Sequence, residues 1–363
     1  MELTVGLIGL GLIGGSIAKA LKKTDSSIYI MAYNRSEAPL AQAFLDGTIN
    51  EIAQDIDDSF NKCDIIFLCT PVEFNSTYMP KVAAVMNDKC ILTDVGSVKG
   101  HIHNSVKEFG LEHCFIGGHP MAGSEKTGYA ASSDILLENA YFVITPTEQT
   151  TNEQLDLYVS IVEKTGAIPL VIKPDVHDYA VAGISHVPHL IASALVNMVR
   201  ENDTPDELMK LIAAGGFKDI TRIASSSPEV WSQICTTNSK QISIILEKYI
   251  EMLTQVKKYV DDKDSDAIHN MFYESREYRN SISINTKGPV LARYTLFCDI
   301  EDKEGSLNSI THLLSINHIS IKNIEIIHNR EFKQGALLTE FYDEPSLISA
   351  KEILTSAGYQ IFC

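Results

Sequence analysis

The first half of the chain places short apolar runs between stretches of helical period. Residues 3–9 (LTVGLIG) read as a buried strand, and 12–23 as a helix closing on Lys22 and Lys23. A second strand follows at 28–34 (IYIMAYN), then a helix in AQAFLDGTI that runs into a glycine turn. Further strands are expected at 63–71 (CDIIFLCTP, closed by Pro71), 90–97 (CILTDVGS), 114–120 (CFIGGHP) and 140–146 (AYFVITP). Strands alternating with helices over ~150 residues predict a mostly parallel sheet covered on both faces. An α/β Rossmann domain is therefore expected over residues 1–170.

From about 175 the strand runs vanish and helical periodicity takes over, which predicts an all-α domain over 171–285. HDYAVAGISHVPHLIASALVNMVREN reads as one helix or a close pair. A very long helix is expected from Ser227-Pro228-Glu229, a helix-start signal, through VDDKD. Its apolar stripe (Ile234, Ile242, Ile245, Leu246, Tyr249, Leu253, Val256) reads as packing surface. A helix so long in a small domain needs a partner, so a homodimer is expected. NTKGP (285–289) reads as a linker. The last segment, 289–363, has a β-α-β-β-α-β pattern, the order of a ferredoxin-like domain.

The 363 residues are 45% hydrophobic and 21% charged, ordinary for a soluble globular protein of two or three domains. The net charge of −17 argues against nucleic acid or an anionic membrane as the main partner, but leaves room for a small anionic substrate in a basic pocket. The cysteines (63, 69, 90, 114, 235, 298, 363) form no CxxC pair and sit mostly in apolar runs, so reduced buried thiols in a cytoplasmic protein are expected. The N-terminus has no basic region before its apolar residues, unlike a signal peptide. No run reaches the ~18 apolar residues of a membrane span.

Gly9-Leu10-Gly11-Leu12-Ile13-Gly14 follows a strand and opens a helix. In that place G-x-G-x-x-G gives a tight turn, close backbone approach and a helix N-terminus for a pyrophosphate. Gly9, Gly11, Leu12, Ile13 and Gly14 are thus candidates to bind a dinucleotide, with Thr70 and Pro71 at the end of a later strand. The second strand ends in Asn34-Arg35-Ser36, with no carboxylate to repel a 2′-phosphate, so the cofactor is NAD or NADP with a lean toward NADP. Ser97 in DVGSVKG reads either as a hydroxyl near the nicotinamide or as a helix cap. His119, in a loop at a strand end, is a candidate general base, its unperturbed pKa near ~6.5 suiting a hydroxyl proton. His177, Asp178, His186 and His189 share HDYAVAGISHVPH, but Pro188 interrupts the helix and no carboxylate has ligand spacing, so no metal is expected. Arg222 could clamp a carboxylate.

Taken together, GLIGLGLIGGSIAKAL, DVGSVKG, GGHPMAGSE, HDYAVAGISHVPH and GGFKDITRIASSSPEVW resemble the prephenate dehydrogenases, including the related arogenate dehydrogenases. The resemblance implies that the C4 hydroxyl of prephenate loses its proton while its hydride goes to the nicotinamide. The ring carboxylate leaves as CO2 and 4-hydroxyphenylpyruvate forms. It implies that His119 accepts the hydroxyl and that Ser97 supports His119 and the nicotinamide. Arg222 would bind a substrate carboxylate, with His189 and Gly215 holding the substrate. Ser124 and Glu125 would line the pocket, Glu125 as a gate. Many NAD-using members carry Asp where this chain has Asn34. The C-terminal segment with DKEGSL (302–307) resembles an ACT regulatory domain. It implies a feedback site for tyrosine at Asp302, Gly305, Ser306 and Leu307. The alternatives are arogenate as substrate, or a non-catalytic amino-acid sensor.

Overall fold

The computed structural model describes residues 3–123, 126–282, 294–300, 303, 305–327 and 336–362. The linker expected at 285–289 lies outside the described residues. The chain divides into two compact units, one running to Ser281 and the other built mainly from residues 290 onward.

The first unit opens on a parallel five-stranded sheet of β1 (Thr4–Ile8), β2 (Tyr29–Tyr33), β3 (Glu51–Ile52), β4 (Ile65–Leu68) and β5 (Ile91–Asp94), in the order β3-β2-β1-β4-β5. The apolar runs are continuous because both faces are covered. Ile65 and Phe67 enter one core while Ile66 and Leu68 enter the other, the two-residue alternation of a strand. The helix Leu12–Thr24 follows β1, with Ile17, Ala18 and Leu21 in the first of those cores.

The strands after β5 depart from the mostly parallel sheet that the alternation predicts. β6 (Ile116–Pro120), β7 (Tyr141–Pro146) and β8 (Ile168–Val171) form a second sheet in which β6 and β7 are antiparallel. Among the described residues no α-helix lies between β6 and β7, and the chain returns along its neighbour. β6 is tied to β5 by a parallel bridge between Leu92 and Phe115. The approach is close at Gly118, where a Cβ would lie 2.2 Å from the Tyr158 hydroxyl and 2.7 Å from the Asp94 carbonyl oxygen. Glycine there lets the strand carrying His119 lie against the end of β5.

The helical part begins with Pro174–Val181, a π-helical turn at Ala182–His186 and the helix Val187–Asn202. Pro188 has no N–H to donate, and the ladder is carried by a wide bond from the Val187 amide to the Ala182 carbonyl. By length and composition the helix Pro174–Asn202 is apolar enough to cross a membrane, although polar residues interrupt its apolar runs. His177, Asp178 and His186 on it are buried and bonded inside this unit. The long helix expected from Ser227 is two helices, Pro228–Thr237 and Ser239–Asp261. The chain turns at Asn238, whose buried amide donates to the Asp178 carbonyl at 2.9 Å and faces His186 Nδ1 at 3.0 Å. Those tertiary bonds outweigh helical continuity.

The second unit runs β9 (Tyr294–Asp299), helix Ser306–Ile316, β10 (Ile321–Ile327), β11 (Ala336–Phe341), helix Glu344–Ser356 and β12 (Ile361–Phe362). Its four strands pair antiparallel in the order β10-β11-β9-β12, over a core that includes Leu296, Ile310, Leu314, Leu337 and Leu354.

Candidate active site

The turn after β1 builds a dinucleotide cradle. Gly9 has φ +99, and a Cβ on it would lie 2.8 Å from the Cys69 carbonyl oxygen, so only glycine passes. Gly11 caps the helix Leu12–Thr24 with no side-chain bond and has nothing within 4 Å of its Cβ position. That open space above uncapped amides fits a pyrophosphate. A cavity of about 160 Å³ beside it is lined by Gly9, Asn34, Arg35, Ser36, Thr70 and Pro71, together with aromatic side chains of Phe74 and Tyr78. Asn34 is also part of the frame. Its Oδ1 accepts from the Leu10 amide at 3.0 Å and its Nδ2 donates to Ser36 O at 2.9 Å. Arg35 is exposed at the rim.

At the carboxyl edge of the sheet stands His119. It lies within strand β6, not in a loop as expected, because its backbone pairs in register with Val143. Its Nδ1 is 2.8 Å from His177 Nε2, and His177 Nδ1 is 2.8 Å from Asp178 Oδ1. Asp178 also accepts from the backbone amides of Lys99 and Gly100, each at 2.7 Å. Burial works against its charge, but the bonds from His177 and the two amides prevail and hold the carboxyl below its usual range. His119 is pushed well below the ordinary histidine value, first by burial and then by His177, Lys99 and His186. This corrects the expectation of an unperturbed imidazole and favours the neutral acceptor.

The helices supply the facing wall. His189 stacks on Trp231 with ring centroids 3.7 Å apart, and His186 meets the same indole edge-on at 6.0 Å. His189 Nδ1 donates to the Ser185 carbonyl at 2.8 Å, which leaves Nε2 as its acceptor. Burial lowers the His189 pKa and nearby Arg222 adds to this, against the Ser185 bond. His186, pushed to about 4 chiefly by burial, is a neutral member of the group. A cavity of about 170 Å³ is lined by His189, Ser193, Ile223, Ser226 and Trp231 among others.

The structure thus joins His119 to the helical histidines and brings Arg222 beside His189. Ser97 is half-buried in the turn after β5, and the helix that follows is capped by Lys99, so the capping reading of Ser97 is overturned. Gly215 opens the exposed helix Gly215–Thr221. Ser124 and Glu125 lie outside the described residues, as does Asp302. Gly305, Ser306 and Leu307 start the first helix of the second unit, with Gly305 at φ +88. Four side chains of the site are not legible as such in the sequence. In the sequence His177 and Asp178 read only as candidate metal ligands, and Lys99 in DVGSVKG carries no signal of a role. Trp231 offered a signal, being the one tryptophan in the chain.

Residues 17–171 match the family model described as prephenate dehydrogenase, nucleotide-binding domain, and 173–274 match prephenate dehydrogenase, dimerization domain. The chain is 33% identical to a prephenate dehydrogenase of Bacillus subtilis over 365 residues, covering 100% of this chain and 98% of that one. Its fold is similar to that of prephenate dehydrogenase from A. aeolicus, solved in complex with hydroxyphenyl propionate and NAD+. That similarity has a TM-score of 0.74 at 30% identity and covers 78% of this chain and 99% of that one. Synechocystis arogenate dehydrogenase is similar at TM-score 0.71 and 30% identity, over 77% and 100% of the two chains.

Proposed function

The chain belongs to the prephenate dehydrogenase family, and from that premise we propose how its residues divide the work. It is an NAD-dependent oxidoreductase that converts prephenate to 4-hydroxyphenylpyruvate and CO2. The observation that supports the division best is His119, a neutral imidazole at the carboxyl edge of the sheet, in the same unit as the cradle built by Gly9, Gly11 and the helix Leu12–Thr24.

NAD held by that cradle supplies the hydride acceptor. His119 accepts the proton of the substrate's C4 hydroxyl, since an alcohol loses its hydride more readily as its oxygen becomes an alkoxide. Ser97 supports His119 and would orient the nicotinamide. Arg222 pairs with a substrate carboxylate, and His189, braced by Trp231 and Ser185, offers its acceptor nitrogen Nε2 to the substrate. Gly215, Ser124 and Glu125 complete the substrate side. Decarboxylation needs no further base, because aromatisation of the ring draws the electrons from the breaking C–C bond.

The exposed apolar side chains of the helical part, among them Leu211, Ile212, Ile220, Met252 and Phe272, support a homodimer through these helices. The β-α-β-β-α-β unit, with a glycine-started helix and a cavity of about 730 Å³ reaching Asp299, Gly305, Ser306, Ser309 and Tyr359, supports an ACT-type domain that binds tyrosine. Six described cysteines are free thiols, in keeping with a cytoplasmic enzyme.

The test is turnover of prephenate by the purified full chain, with nicotinamide reduction and 4-hydroxyphenylpyruvate both measured. Arogenate is the comparison, given the similarity to the Synechocystis enzyme. Faster turnover of arogenate would replace the substrate while keeping the chemistry. No turnover of either would overturn the reading.

A further inference from the structure

The hydrogen bonds behind His119 contain more than a packed histidine needs. Asp178 is a carboxylate, so it can only accept, and the hydrogen between it and His177 belongs to His177 Nδ1. A singly protonated His177 then presents a lone pair at Nε2. Across the 2.8 Å contact, the hydrogen must belong to His119 Nδ1. The remaining nitrogen of His119, Nε2, is left with its lone pair. Two carboxylate bonds from the Lys99 and Gly100 amides fix Asp178 in turn, and those residues start the helix Gly100–Glu108. The charged and titratable groups facing the pair are Asp178, Lys99 with its partner Asp94, and His186.

We infer that His177 and Asp178 are positioning residues for the reaction. They set the tautomer of His119 so that its Nε2 is the acceptor, and take up the charge when the substrate proton arrives. The inference rests on the role proposed above for His119. The opposite arrangement, with His177 donating from Nε2, would put the hydrogen of neutral His119 on Nε2 and leave nothing to accept the hydroxyl. When Nε2 of His119 gains the substrate proton, its Nδ1–H can break as His177 Nε2–H forms. One proton moves along the pair, no electrons are transferred, and the positive charge comes to rest beside the Asp178 carboxylate. The reverse shift restores the pair. The logic is that of a triad whose acid orients an imidazole and stabilises its cation, here with a second imidazole interposed.

The test is nitrogen NMR of the full chain labelled at histidine, with His119→Asn and His177→Gln used for assignment, alongside steady-state kinetics. In the unsubstituted enzyme His119 and His177 should both carry their hydrogen on Nδ1. His177→Phe should lower kcat by roughly 10²-fold with KM changed little, and shift the acid limb of the pH profile. It should also let the His119 hydrogen redistribute to Nε2. His177→Gln, whose amide oxygen can accept from His119 Nδ1, should recover part of kcat. A hydrogen on His119 Nε2 in the unsubstituted enzyme would overturn the inference even if the Phe variant failed to fold. So would His177→Phe with native kcat and pH profile. An enzyme silent toward prephenate and arogenate, but with both hydrogens on Nδ1, would sink the proposed function and support the pairing.

Discussion

Lys99 Nζ lies 2.6 Å from Asp94 Oδ1, with both side chains wholly excluded from solvent. The same ammonium donates at 2.6 Å to the carbonyl of Gly118, the residue before His119. The pair therefore clamps the end of β5 to β6, the strand that carries His119. Burial lowers the pKa of Lys99, and the charge and bonds of Asp94 oppose it.

Lys99→Met should cost on the order of 3–5 kcal/mol, since it strands a buried carboxylate. The double variant with Asp94→Asn should recover part of that loss. Denaturant unfolding of the three proteins measures it, and a single variant as stable as the parent would refute the clamp.

His119→Asn should keep cofactor and substrate binding and lose about 10²–10⁴-fold in kcat. In the parent enzyme, the group must be neutral to accept a proton, and its pKa is depressed. Activity should therefore persist as pH falls through 6.5, the ordinary histidine value, and fail only further into acid. A pH profile of kcat/KM that breaks at or above that value would contradict the geometry.

Arg222→Ala should raise KM for prephenate. A charge-assisted bond to a carboxylate is worth roughly 1.5–3 kcal/mol, or about 10- to 150-fold. An unchanged KM would remove Arg222 from the substrate site.

Arg35→Ala should impair use of NADP more than of NAD, because only NADP brings a 2′-phosphate to the rim where Arg35 lies. Comparing kcat/KM for the two cofactors decides it. Equal effects on both would show that the guanidinium does not meet that phosphate.

Truncation after Lys287 should leave turnover largely intact and abolish inhibition by tyrosine. An effector acting away from the active site works through a difference in affinity between two states of the enzyme. Equal inhibition of the shortened chain would place tyrosine at the active site as a product-like competitor.

The sequence by itself determined whatever depends on neighbours a few residues apart. The β1 strand, the Gly9–Gly14 turn and the helix behind it were legible because buried strands, glycine turns and helix starts are local patterns. So was the order of elements in the last unit. The motifs around His119, Arg222 and His189 mark those residues as candidates. The tertiary structure decided what depends on distance along the chain. His119 and His177 are 58 positions apart, and Lys99 and Asp178 are 79. No local period records that they meet. The same holds for the antiparallel return of β7 on β6. It holds too for the break at Asn238, where bonds to Asp178 and His186 overrule an uninterrupted helical pattern. A pattern of apolar and polar positions specifies which face of an element is buried. Which polar groups pair inside the protein is settled only when those faces pack, because a buried donor or acceptor must find its partner wherever the packing brings one.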